Sequence, residues 1–74
     1  MKILLIDNED EIRQILKDMI LQWSDENHTI YEADGVETGI VAIHQHQPDV
    51  LLLDVEMDDG TGFDLLSRIS EPMF

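Results

Sequence analysis

The sequence predicts an α/β fold built on a parallel sheet, and three observations carry that expectation. Continuous apolar runs at residues 3–6 and 50–53 have the pattern of short strands buried on both faces. Between and after the strand signals, apolar residues recur at steps of three and four, the spacing of amphipathic helices. The connections are short, so strand and helix alternate three times as βαβ units with right-handed crossovers.

The first strand is expected at 3–6, followed by a loop through Asp7, Asn8, Glu9 and Asp10. Ile12, Ile15, Leu16, Met19, Ile20 and Trp23 then define one apolar stripe, predicting a helix over 11–23 with Trp23 in the core. Acidic residues at its front complement the positive end of the helix dipole. A polar connection at 24–27 leads to a half-buried strand at 29–33. Asp34 is the expected N-cap of the second helix, with Glu37 three residues later in the manner of a capping box. Val36, Ile40, Val41 and Ile43 mark that helix, which ends near His46, where Gln47, Pro48 and Asp49 break it. The third strand is expected at 50–54 and a loop at 55–61. Phe63, Leu66 and Ile69 mark a third helix that stops before Pro72.

At 74 residues the chain is one small domain, near the lower limit for a self-sufficient core. Its formal charge of −13, from 17 acidic and 4 basic residues, repels phosphate backbones, so direct nucleic-acid binding by this segment is not expected. Without cysteine there is neither a disulfide framework nor a thiolate metal site. The apolar runs fall far short of the ~20 residues that span a bilayer, and the acidic residues after Ile6 exclude a signal peptide. A cytoplasmic protein with no membrane association is expected.

The two apolar runs end alike, at Asp7 and at Asp54. On adjacent parallel strands both carboxylates reach the carboxyl edge of the sheet, where open α/β folds place their crevice. Crowded carboxylates are relieved by a bound cation, and Mg²⁺ suits oxygen ligands beside a phosphoryl group. The Asp54 carboxylate is also a candidate nucleophile toward phosphorus. His44 and His46 lie two apart and point to different faces of their helix, near the end where positive charge is favoured.

These residues carry a family resemblance. Lys2-Ile-Leu-Leu-Ile-Asp-Asn-Glu9, Gln47-Pro-Asp-Val-Leu-Leu-Leu-Asp-Val-Glu-Met57 and Gly60-Thr-Gly-Phe-Asp-Leu-Leu66 closely resemble receiver domains of two-component response regulators. The resemblance implies a flavodoxin-like (βα)5 fold of sheet order 2-1-3-4-5, of which residues 1–74 supply the N-terminal βαβαβα with a three-stranded sheet of order 2-1-3 and no output domain. It further implies that Asp54 accepts a phosphoryl group from a histidine kinase, and that Asp7, Asn8, Asp54 and the Glu56 backbone carbonyl hold Mg²⁺. A receiver of this kind is not counted as an enzyme. The stretch from Glu56 to Leu66 looks most like receivers attached to LytTR-type DNA-binding domains, which allows such an output domain in a full-length protein.

The chain departs from the family pattern in three respects. Asn8 stands where a second acidic residue is usual, so weaker Mg²⁺ binding is expected. Asp58 stands where proline is common, so the following loop should be less rigid. The fourth and fifth strands, with a Ser/Thr and a Lys that respond to phosphorylation, are not among the 74 residues. An open edge on the third strand is expected to drive homodimerisation or aggregation. The alternative is a phosphorylation-independent interaction module on the same scaffold. A calcium loop starting at Asp54 fails because its glycine falls one place late and Leu65 occupies the twelfth position. Asp58-Asp59-Gly60-Thr61 resembles the motif of haloacid dehalogenase-like phosphatases, but Met57 replaces its first aspartate.

Overall fold

The computed structural model describes residues 1–23 and 27–69. Strands β1 (Lys2–Ile6), β2 (Thr29–Ala33) and β3 (Val50–Leu53) alternate with helices α1 (Asp10–Trp23) and α2 (Val36–His46). A small hairpin, β4 (Glu56–Met57) and β5 (Gly60–Thr61), precedes α3 (Gly62–Ile69). The three long strands form a parallel sheet of order β2-β1-β3, as the resemblance implied.

β1 is central and is buried from both sides, which is why its apolar run is continuous rather than alternating. Ile3 and Leu5 turn to one face and pack with Ile20 of α1. Leu4 and Ile6 turn to the other and pack with Val36 and Ala42 of α2 and Leu65 of α3. One helix therefore covers one face and two cover the other. The register pairs Ile6 with both Ala33 and Leu53, so the three strands stop level with one another.

Four expectations are corrected. Trp23 is 87% exposed rather than core, because α1 presses only its Leu16 and Ile20 side to the sheet and Trp23, in its last turn, lies outside that cluster. On α3, Phe63 is 70% exposed while Leu65 is fully buried, so the helix is rotated from the expected stripe toward Leu65 and Ile69. Its phase is set by Leu65 entering the core between the sheet and α2, not by its own spacing of apolar residues. At the front of α2, the N-cap is Gly35, and only half of a capping box is present: Thr38 Oγ1 accepts the Gly35 N–H (3.0 Å) and donates to Asp34 (2.8 Å). Glu37 instead turns to Arg68 of α3 (2.9 Å). Finally, the segment expected to be an open loop contains the β4–β5 ladder, pairing Glu56 with Thr61 and Met57 with Gly60. Most of the polar connection at 24–27, and the segment around Pro72, lie outside the described residues.

Candidate functional site

Asp7 and Asp54 each extend their strand by one backbone bond. The Asp7 N–H donates to the Ala33 carbonyl (3.1 Å) and the Asp54 N–H to the Ile6 carbonyl (2.9 Å). The sheet thus holds both residues in line at its carboxyl edge, with no freedom to splay apart. Together with Asn8, Glu9, Ile12, Glu56, Met57 and Asp58 they line one cleft of about 570 Å³. All of the residues expected at a site, Asp7, Asn8, Asp54 and Glu56, are brought to this cleft.

The front wall is the loop between β1 and α1. Asp7 is 9% exposed, and its Oδ1 accepts the Glu9 N–H (2.9 Å), a local turn that aspartate favours. Arg13 was not anticipated from the sequence. Its guanidinium is buried beneath this loop and bonds the Asp7 backbone carbonyl, the Asp10 carboxylate and Glu32 Oε1 (3.0 Å). A buried cation with three oxygen partners is well compensated, and it fixes the loop that presents Asp7. Burial alone would raise the Glu32 carboxyl, but hydrogen bonds from Lys17 and Arg13 outweigh it and hold the group below its ordinary range. The only local signal for Arg13 is its place three residues after Asp10 on one helix face.

The back wall is the hairpin. Asn8 Nδ2 donates to Asp58 Oδ1 across the cleft (3.3 Å), which directs the amide's donor end to Asp58 and leaves its oxygen as the acceptor. Asp58, which replaces the proline expected of a receiver, is therefore part of the cleft wall. The chain after Asp54 turns sharply into α3, where the Gly62 N–H donates to the Val55 carbonyl (2.8 Å). A Cβ on Gly62 would lie 2.6 Å from the Asp54 backbone oxygen, so only glycine permits this approach.

The polar side chains lining the cleft are carboxylates and one amide, a set that fits a hard cation and not a soft one. Among the described residues no three Asp, Glu, His or Cys side chains stand close enough to cage a metal by themselves. A cation held here would rest on Asp7 and Asp54, completed by the Asn8 amide, a main-chain carbonyl and water. That is the coordination Mg²⁺ prefers, since it retains several waters and uses one or two carboxylates. The histidines take no part. His44 is exposed, and His46 stacks on Tyr31 with ring centroids 3.7 Å apart, on the far side of the fold's cleft edge.

A family model described as the response regulator receiver domain matches residues 3–73. Transcriptional regulatory protein HptR of Staphylococcus aureus is 42% identical over 71 residues, covering 93% of this chain and 27% of HptR. An uncharacterized response regulatory protein of Staphylococcus epidermidis is 40% identical over 72 residues, covering 95% of this chain and 28% of its own length. The chain thus spans a little over a quarter of each relative. Among solved structures, the N-terminal domain of a response regulator receiver protein from Methanoculleus marisnigri JR1 superposes with a TM-score of 0.84 at 26% identity, covering 96% of this chain and 56% of that one. No helix among the described residues is long and apolar enough to cross a membrane.

Proposed function

The chain belongs to the response regulator receiver domain family, and from that premise we propose that it is a phosphoacceptor in two-component signal transduction, with Asp54 as the residue phosphorylated by a histidine kinase. The observation that carries this reading is the pairing of Asp7 and Asp54 at level ends of adjacent strands, opening into one cleft. In the proposed step a carboxylate oxygen of Asp54 attacks phosphorus of the kinase's phosphohistidine. The O–P bond forms, the P–N bond breaks, and the imidazole leaves with the electron pair and takes a proton from solvent.

Asp7, Asn8 through its amide oxygen, Asp54 and the Glu56 backbone carbonyl would hold Mg²⁺. When bound, the cation would offset the charge on the transferring phosphoryl oxygens. The chain's own contribution is positioning. The β1–β3 ladder fixes Asp54, Arg13 fixes the loop carrying Asp7, and Gly62 lets the start of α3 approach the Asp54 backbone. Asn8 brings an oxygen but no charge, so we propose a weaker affinity for Mg²⁺ than a carboxylate there would give, with Asn8→Asp tightening it in a calorimetric titration. A cytoplasmic location and a DNA-binding output module in a longer protein belong to the same proposal, the latter in keeping with the name of HptR.

The test is incubation with Mg²⁺ and phosphoramidate, read by intact mass. One phosphoryl group should be gained by the wild type and none by Asp54→Asn. A second reading, an interaction module independent of phosphorylation, draws on the exposed apolar residues Ile15, Met19, Trp23 and Leu52. No adduct at saturating donor would favour it over the first.

A further inference from the structure

We infer that Asp59 is a positioning residue that clasps the hairpin wall of the acidic cleft to the N-terminus of α2, so that occupancy of the cleft is transmitted to α2. The inference rests on the reading of the cleft given above and adds its regulation.

The first turn of any helix leaves backbone N–H groups without intrahelical partners, normally met by a side chain just before it. Here the N-cap is Gly35, which has no side chain to offer. Asp59, 23 residues beyond Val36, supplies the cap: its Oδ1 accepts the Val36 N–H (2.7 Å) and its Oδ2 the Glu37 N–H (3.1 Å). A carboxylate is the favoured group at this positive end of the dipole. Gly35 is shaped to the contact, because a Cβ there would lie 2.8 Å from Asp59 Oδ1. Any larger residue would displace the carboxylate that caps the helix. Arg68 of α3 adds a second strap, donating to Glu37 Oε1 (2.9 Å).

Asp58 and Asp59 are neighbours in the turn of the β4–β5 hairpin, and they are held by different parts of the molecule. Asp58 lines the cleft and accepts from Asn8 (3.3 Å), while Asp59 is bound to α2. Glu56 and Met57 on the same hairpin also line the cleft. Peptide planarity leaves a two-residue turn few soft torsions, so a rearrangement around Asn8, Asp54 or Glu56 moves the Asp59 carboxylate against the α2 amides. Coupling between two sites is reciprocal. With occupancy of the cleft favouring the clasped state, loss of the clasp weakens binding in the cleft by the same factor.

The experiment uses the ¹⁵N-labelled 74-residue chain with Mg²⁺ and beryllofluoride as the phosphoryl mimic. ¹⁹F resonance reports occupancy and the Val36 and Glu37 amide shifts report α2. In the wild type both amides should move in step with the bound ¹⁹F signal. In Asp59→Ala they should stop responding, and beryllofluoride should bind about fivefold or more weakly. Asp59→Asn, which keeps one acceptor oxygen, should fall between, and it carries the test if the alanine variant does not fold. A merely structural cap would lower the thermal midpoint but leave beryllofluoride affinity unchanged, and that result overturns the inference. So does a wild-type ¹⁹F signal with Val36 and Glu37 unmoved, which leaves the phosphoacceptor reading standing. Absence of any bound ¹⁹F signal in the wild type overturns both.

Discussion

Gly62 shows how one missing methyl group governs the site. An alanine there would gain up to about 1 kcal/mol of helix propensity. Its Cβ, however, would meet the Asp54 backbone oxygen at 2.6 Å and Leu53 Cγ at 3.1 Å, and the backbone atom cannot swing aside as a side chain would. Overpacking of this kind costs about 1–3 kcal/mol, so clash outweighs propensity. Gly62→Ala should lower the urea midpoint and slow adduct formation at Asp54, and an alanine variant as stable as the wild type would contradict this contact. Asp59 allows a test by acid. Its carboxyl is held below its ordinary 3.8 by the Val36 and then the Glu37 amide. A carboxyl lowered in the folded state contributes stability above its unfolded pKa and loses it as pH falls through the folded value. The Val36 and Glu37 amide resonances should therefore titrate with a midpoint below 3.8, and a midpoint at or above it would show the cap is not formed in solution.

At the scale of elements, Leu65 and Trp23 should behave in opposite ways. Leu65 is fully buried and anchors α3, so Leu65→Ala should cost about 2–5 kcal/mol in urea unfolding. Trp23 is 87% exposed, and its replacement by alanine should change stability by no more than about 0.5 kcal/mol. Sequence periodicity alone would rank the two the other way. The long strands and helices were legible because their signals are local: a four-residue apolar run, a step of three and four, a proline after a helix. The phase of α3 was not, since it depends on where Leu65 fits against α2. The hairpin was invisible because two-residue strands have no period to detect. Neither Arg13 nor Asp59 announced its role, because each acts on partners brought near only by the fold. The cleft itself was legible, since strand endings are written in the sequence and parallel pairing does the rest. Asp58 escaped notice as a wall residue because only the hairpin turns it toward Asn8.

For the molecule as a whole, apolar surface and net charge oppose one another. Among the described residues β3 pairs only with β1, and Met19, Trp23 and Leu52 are exposed along one groove beside it. Such an edge invites pairing with a second copy of this chain, while a charge of −13 on each copy resists it. Salt screens the repulsion and leaves apolar burial intact, so sedimentation should show self-association that rises with both protein concentration and salt. Leu52→Lys should suppress it, and a wild-type monomer under all these conditions would contradict the prediction. Asp7, Glu9, Asp54, Glu56 and Asp58 meet in the cleft where β1 and β3 end, the place where Asp54 is proposed to accept the phosphoryl group. Peptide mapping of the chain after reaction with Mg²⁺ and phosphoramidate tests that claim most directly. A phosphoryl group on Asp54 that hydroxylamine removes, as it does an acyl phosphate, is the predicted result. A phosphoryl group on any other residue, or none at all, would contradict it.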